Sequence, residues 1–220
     1  MKILNTILDI VFPNYCIICS EKGPTLCINC LSRAQPSEKE VDPYIYPIYD
    51  YRDTIIKKSI WNLKYKNKRD LSKIFAEILY SRILEELADL EMLENFKDPI
   101  LVPIPLSKKR LRERGYNQSL LIALELEKIN KHKNQKMSYR LLKHVLIKNK
   151  ETIHQAHVKN KKERLENLIG SFSVINKELI KNQNIILLDD VVTTGATLKE
   201  AKKELKKNGA RKVIAFTVAH

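Results

Sequence analysis

Two short stretches of this 220-residue chain carry residue types whose spacing could do chemistry. The first holds Cys16 and Cys19, then Cys27 and Cys30, two C-x-x-C pairs that contain every cysteine of the chain. A two-residue gap lets both thiolates of a turn face one ion, and Gly23-Pro24 supplies a reversal between the pairs. Four thiolates close a tetrahedral shell around Zn²⁺, so such an ion would be structural, lending folding free energy to a segment too short for its own core. Two disulfides in a secreted chain are the competing reading of the same spacing. It finds no support in residues 1–12, where Ile3, Leu4, Ile7, Leu8 and Val11 recur at helical spacing with no small-residue cleavage site. No stretch approaches the roughly 20 apolar residues of a membrane span, and the expected location is cytoplasmic.

The second stretch is IILLDDVVTTGATL at 185–198. Four apolar residues run into Asp189 and Asp190, which places two carboxylates at the C-terminal edge of a strand, where open parallel sheets bind ligands. Val191 and Val192 follow, then Thr193, Thr194, Gly195, Ala196 and Thr197 as the chain turns into a helix. That turn offers three hydroxyls and free backbone amides at the positive end of a helix dipole, a nest suited to phosphate. Carboxylates a few residues away can accept hydrogen bonds from sugar hydroxyls, directly or through Mg²⁺. Phosphate and diol together describe a ribose 5-phosphate. The bland alternative is a strand that ends in Asp-Asp and a helix capped by threonine. A Walker A loop is excluded, since G-x-x-x-x-G-K-[ST] does not occur.

These residues need a scaffold, and the remaining pattern supplies one. Residues 54–65 (Ile55, Ile56, Ile60, Trp61 and Leu63 alternating with basic residues at helical spacing), 71–93, 117–129 and 196–208 read as helices. Residues 99–105, 170–174, 185–188 and 212–219 read as strands, and 106–116 as a basic loop between a strand and a helix. Strand, helix, strand within about 30 residues is a βαβ unit, so the expected class is α/β with a parallel sheet flanked by helices. Residues 31–47, with Pro36, Pro43 and Pro47, read as a linker, which divides the chain into a module at 1–40 and a main domain at 48–220.

The composition is globular, with 44% apolar and 30% charged residues, and the net charge of +14 attracts polyanions. Residues 108–114 hold five cations against Glu113, and 128–164 hold twelve against Glu151 and Glu163, so these two segments account for the whole excess. That pattern reads as a polyanion track, for nucleic acid, phosphorylated metabolites or an anionic membrane, or more plainly as a solvated basic face. The second segment has Tyr139 as its sole aromatic residue, and its four histidines (His132, His144, His154, His157) lack metal-ligand spacing.

The string D-D-x-x-T-T-G-x-T after a hydrophobic run is similar to the signature of type I phosphoribosyltransferases. Its order after the cysteine pairs, Leu63-Lys64-Tyr65, V-P-I-P at 102–105, R-G-Y-N-Q at 114–118, and E-R-x-x-N at 163–167 resembles the ComF family, competence-associated proteins that join a four-cysteine zinc module to a phosphoribosyltransferase-like domain. The resemblance implies that Asp189 and Asp190 are the catalytic carboxylates on the ribose diol, and that residues Val191, Val192, Thr193, Thr194, Gly195, Ala196 and Thr197 hold phosphoribosyl diphosphate. It implies a pyrophosphate loop of Lys108, Lys109, Arg110, Arg112 and Arg114, with Lys64, Gln118, Gln155 and Arg164 as further site candidates. It also implies structural Zn²⁺, Mg²⁺ with phosphoribosyl diphosphate, single-stranded DNA as partner, contacts with DNA-uptake proteins, and a role in natural transformation. Alternatives are an active transferase in nucleobase salvage, with its acceptor base unassigned, and a non-catalytic module that docks a protein. The chain departs from the family where Lys148 and Lys150 stand in place of arginines.

Overall fold

A computed structural model describes residues 13–38, 42–133, 137–149 and 169–220. The helix expected within 1–12 therefore lies outside the described residues, as do Gln155 and Arg164. The centre is a five-stranded, all-parallel sheet in the order β1-β7-β6-β2-β3. Its strands are β1 (Ile45–Tyr49), β2 (Ile100–Pro103), β3 (Arg140–Leu141), β6 (Asn184–Val191) and β7 (Lys212–Ala219). A separate antiparallel pair, β4 (Leu146–Lys148) and β5 (Phe172–Val174), packs to one side.

The central strand β6 is almost wholly buried because both neighbours and both faces are covered. Its residues alternate between two cores, as the two-residue period of a strand requires. Ile186 and Leu188 join the core built from three helices, α2 (Thr54–Tyr65), α3 (Leu71–Glu94) and α5 (Gln118–His132). Ile185 and Leu187 join the core beneath α6 (Ala196–Lys207), together with Leu146 of β4 and Phe172 of β5. Asp53 starts α2 by accepting the amides of Ile55 and Ile56, each at 2.9 Å, which leaves Ile56, Ile60 and Leu63 facing inward.

Three expectations need correction. The segment read as a linker carries β1, an edge strand that pairs with β7 and tolerates Pro47 because its outer side needs no ladder donor. The loop expected at 106–116 contains a seven-residue helix, α4 (Lys108–Arg114), capped by Ser107 and ended by Gly115 in the left-handed region at φ 79°. Strand β6 runs on to Val191, so Asp189 and Asp190 lie within it. Trp61 on α2 is 47% exposed, five residues and about 140° round the helix from buried Ile56.

The cysteine segment, which ends in the one-turn helix α1 (Ile28–Leu31), sits on the helical core. Cys16, Leu26, Cys30 and Leu31 share a buried cluster with Leu63, Leu71 and Phe75, and Thr25 donates its hydroxyl to the Asp70 carboxylate at the start of α3. Among the described residues, no helix is long and apolar enough to cross a membrane.

Candidate functional site

The site grows from the end of β6 and the first turn of α5. Asn117 caps α5 by accepting the amides of Ser119 and Leu120, while its own amide donates to the Ile104 carbonyl at 2.9 Å. One residue thus ties the helix start to the exit of β2 and aims Gln118 and Ser119 at the carboxylates. Ser119 Oγ donates to Asp189 Oδ1 at 2.9 Å, and the backbone N–H of Asp190 donates to the same oxygen at 2.9 Å. Gln118 Nε2 donates to Asp190 Oδ1 at 3.3 Å, and Gln118 in turn accepts from Arg114. From the last turn of α2, Lys64 Nζ lies 2.6 Å from Asp190 Oδ2 as an ion contact.

Burial sets the electrostatics. It pushes the Asp189 carboxyl well above the usual range, and neighbouring Asp190 adds to the rise; Lys64 and the donors from Ser119 and Asp190 only partly oppose it. Burial on its own would lower the Lys64 ammonium, but the charge and hydrogen bond of Asp190 outweigh it and the net direction is upward. Lys148, on the β4 side, is brought down to about 8 by burial and by Arg110, against the pull of Asp189.

Apart from Ser119, which holds Asp189 from behind it, these groups line a cleft of about 850 Å³. Of the basic residues expected to hold pyrophosphate, Arg110 and Arg114 face the cleft, one helical turn apart on α4. Lys108, Lys109 and Arg112 lie on the same helix but do not line it. The helical geometry explains the division, since four residues return to one face and one or two do not. Asp189, Asp190, Val191, Thr193 and Thr197 also line the cleft, and Lys64 and Gln118 join them. Val192 turns inward, its amide bonded to the Ala219 carbonyl at 2.9 Å. Gly195 is the residue before α6 at φ 71°, a conformation that disfavours any Cβ, and Thr194 Oγ1 accepts the Ala196 amide at 3.4 Å. Thr194, Gly195 and Ala196 line a small recess beside the cleft.

Sequence reasoning missed Ser119, Tyr51, Tyr65, Asn67, Arg69, Tyr116 and Lys148 as site residues. Ser119 follows directly on the R-G-Y-N-Q string, and an Asn cap two residues ahead was the available signal. Tyr116 donates its hydroxyl to the Leu63 carbonyl, and the Arg69 guanidinium lies 4.5 Å from its ring centroid.

The cysteines form a second centre. No disulfide joins them, and their four sulfurs all lie within 4.8 Å of one another, with Cys19 and Cys27 at 3.8 Å. A tetrahedral site with Zn–S near 2.3 Å needs sulfurs about 3.8 Å apart, so this donor set fits such an ion. Cys27 N–H and the Arg33 guanidinium donate to the sulfurs of Cys16 and Cys30 at 3.5 and 3.3 Å, as thiolates require. Burial opposes ionisation of Cys16, yet backbone donors from Cys19, Cys27 and Ile18 bring its thiol down to about 6.

Residues 129–220 match the model of the phosphoribosyl transferase domain. The chain is 29% identical to Competence protein F of Haemophilus influenzae over 197 residues, which is 88% of this chain and 77% of that protein. It is 31% identical to Competence protein ComFC of Bacillus subtilis over 179 residues, 78% of this chain and 62% of that one. It is 25% identical to DNA utilization protein YhgH of Escherichia coli K12, covering 85% of this chain and 74% of that one. The parallel sheet with its carboxylate pair and the four clustered cysteines define a phosphoribosyltransferase-like protein with a possible metal module. Within that class, the chain belongs to the ComF family.

Proposed function

We propose that this chain binds phosphoribosyl diphosphate in the cleft at the end of β6 and handles single-stranded DNA during its uptake in natural transformation. The observation that carries the first part is the buried pair Asp189 and Asp190, set beside the Thr193-to-Thr197 turn in a cleft that cations close from the other side. Asp189 and Asp190 accept from the ribose hydroxyls, the turn and the amides of α6 receive the 5-phosphate, and Arg110, Arg114 and Lys148 face the pyrophosphate. The oxygen donors suit Mg²⁺, which would neutralise pyrophosphate charge when bound. The four cysteines hold structural Zn²⁺. Support for the uptake role comes from the relatives named as competence and DNA utilization proteins, and from a net charge of +14.

Calorimetric titration with phosphoribosyl diphosphate and Mg²⁺ tests the pocket. Wild type should bind, and the Asp189→Asn/Asp190→Asn variant should bind at least ~10-fold more weakly, since charge-assisted hydrogen bonds are worth about 1.5–3 kcal/mol each. Equal binding by the two would refute the assignment. Pyrophosphate release on adding a nucleobase would move the reading to salvage. Elemental analysis showing a folded protein without zinc would remove the metal claim.

A further inference from the structure

The nucleic-acid part of the proposed function leaves open what meets the bases, because the basic segment at 128–164 contains a single aromatic residue. The exposed side of α2 offers an answer. Trp61 and Tyr65 stand one helical turn apart, 47% and 56% exposed, with ring centroids 6.1 Å apart and planes tilted by 51°. Of the large apolar side chains exposed among the described residues, the only other aromatic is Tyr15. Their exposure is not an accident of a ragged helix end: α2 is well packed through Ile56, Ile60 and Leu63 on its opposite side. Large rings held in water by a rigid element are costly to keep without an occupant.

The surroundings identify the chemistry of that occupant. Residues 54–69 contain no carboxylate and six cations. Lys66 Nζ lies 5.2 Å from the Trp61 ring centroid, and the Arg114 guanidinium 5.3 Å from that of Tyr65. Exposed Lys57 and Lys58 precede Trp61 by one turn on the same side. Along 54–69, rings interleaved with cations and without an acid match a strand that alternates flat bases with phosphates; an apolar protein surface would call for no such charge. Tyr65 also lines the cleft, so the strip runs without a break from the sugar-phosphate pocket out along α2.

We infer that the Trp61–Tyr65 face of α2 is a base-stacking platform for single-stranded nucleic acid, with Lys57, Lys58 and Lys66 pairing the phosphates. This rests on the reading that the chain binds single strands, and adds where and by which force the bases are held.

Trp61 is the sole tryptophan, so the intact protein carries its own reporter. Titration with a short thymidine oligomer should quench Trp61 fluorescence in step with the rise in anisotropy of the labelled oligomer. An abasic phosphodiester oligomer of equal length should bind without comparable quenching. Trp61→Ala should weaken oligomer binding roughly 10-fold, given about 1–3 kcal/mol per stacked base, while Trp61→Phe retains most of it. Binding by anisotropy with an unresponsive Trp61, and an unaffected Trp61→Ala, would overturn the platform and leave single-strand binding intact. Equal quenching by the abasic oligomer would overturn it too, as charge without stacking. If wild type binds no oligomer, both readings fall.

Discussion

Asp190 is a buried carboxylate paired with one ammonium, that of Lys64 at 2.6 Å, and hydrogen-bonded by Gln118. Removing one partner of a buried pair leaves an uncompensated charge, which costs about 3–5 kcal/mol. Lys64→Met should therefore lose stability of that order in denaturant titrations at neutral pH, and the Lys64→Met/Asp190→Asn double variant should recover much of it. Lys148 gives a test of a different kind. It is positive below about 8 and neutral above, so binding of a polyanion that touches it weakens as pH rises through about 8. Lys148→Arg stays charged throughout and should flatten that step in calorimetric titrations across the range. The carboxylates and the threonine turn were legible in sequence because they form one contiguous string. Lys64 and Gln118 came only with the family resemblance. Ser119 holds Asp189 from α5 and Lys148 reaches the cleft from β4, and no local pattern marks a contact made across 70 or 41 residues of chain.

At the scale of elements, the positioning of the site falls to helix starts. Asn117 caps α5 and holds Ile104, so Asn117→Ala should cost about 1 kcal/mol of stability in thermal or denaturant melts. It should weaken phosphoribosyl diphosphate binding by more than that loss implies, because Gln118 and Ser119 lose their aim at Asp190 and Asp189. A drop in stability with unchanged binding would show that the cap serves the helix alone. Elements with a strong hydrophobic period were readable: α2 and β7 span the expected residues, and α3, α5 and α6 lie within a few. Those missed share a reason. The string IYPIY of β1 has no apolar-polar alternation and contains proline, and β3 has two residues, so both owe their form to the neighbouring strand. KKRLRER of α4 has a single apolar residue, and its helix depends on the Ser107 cap and Gly115 stop, which composition alone does not reveal.

The whole molecule couples the cysteine module to the cleft. Cys16 and Cys30 lie in the same buried cluster as Leu63 and Leu71, and Thr25 holds Asp70, at the far end of the 66–70 turn from Tyr65. Leu63 immediately precedes Lys64, and its carbonyl accepts from Tyr116 of the cleft wall. With Zn²⁺ closing the four thiolates as proposed, its loss would loosen a core that also sets the end of α2. Two expectations separate this coupling from a module that merely rides on the domain. Chelation, or Cys16→Ser, should lower the midpoint of a single thermal transition, by roughly 2–4 °C for each kcal/mol lost in a chain of this size. The same treatment should weaken phosphoribosyl diphosphate binding and shift Trp61 emission, because both depend on where α2 ends. A detached module would instead show a small early transition, with the main midpoint, the ligand affinity and Trp61 emission unchanged. Restoring Zn²⁺ should return all three observables together in the coupled case, which a chelator acting on a ligand-bound Mg²⁺ would not produce.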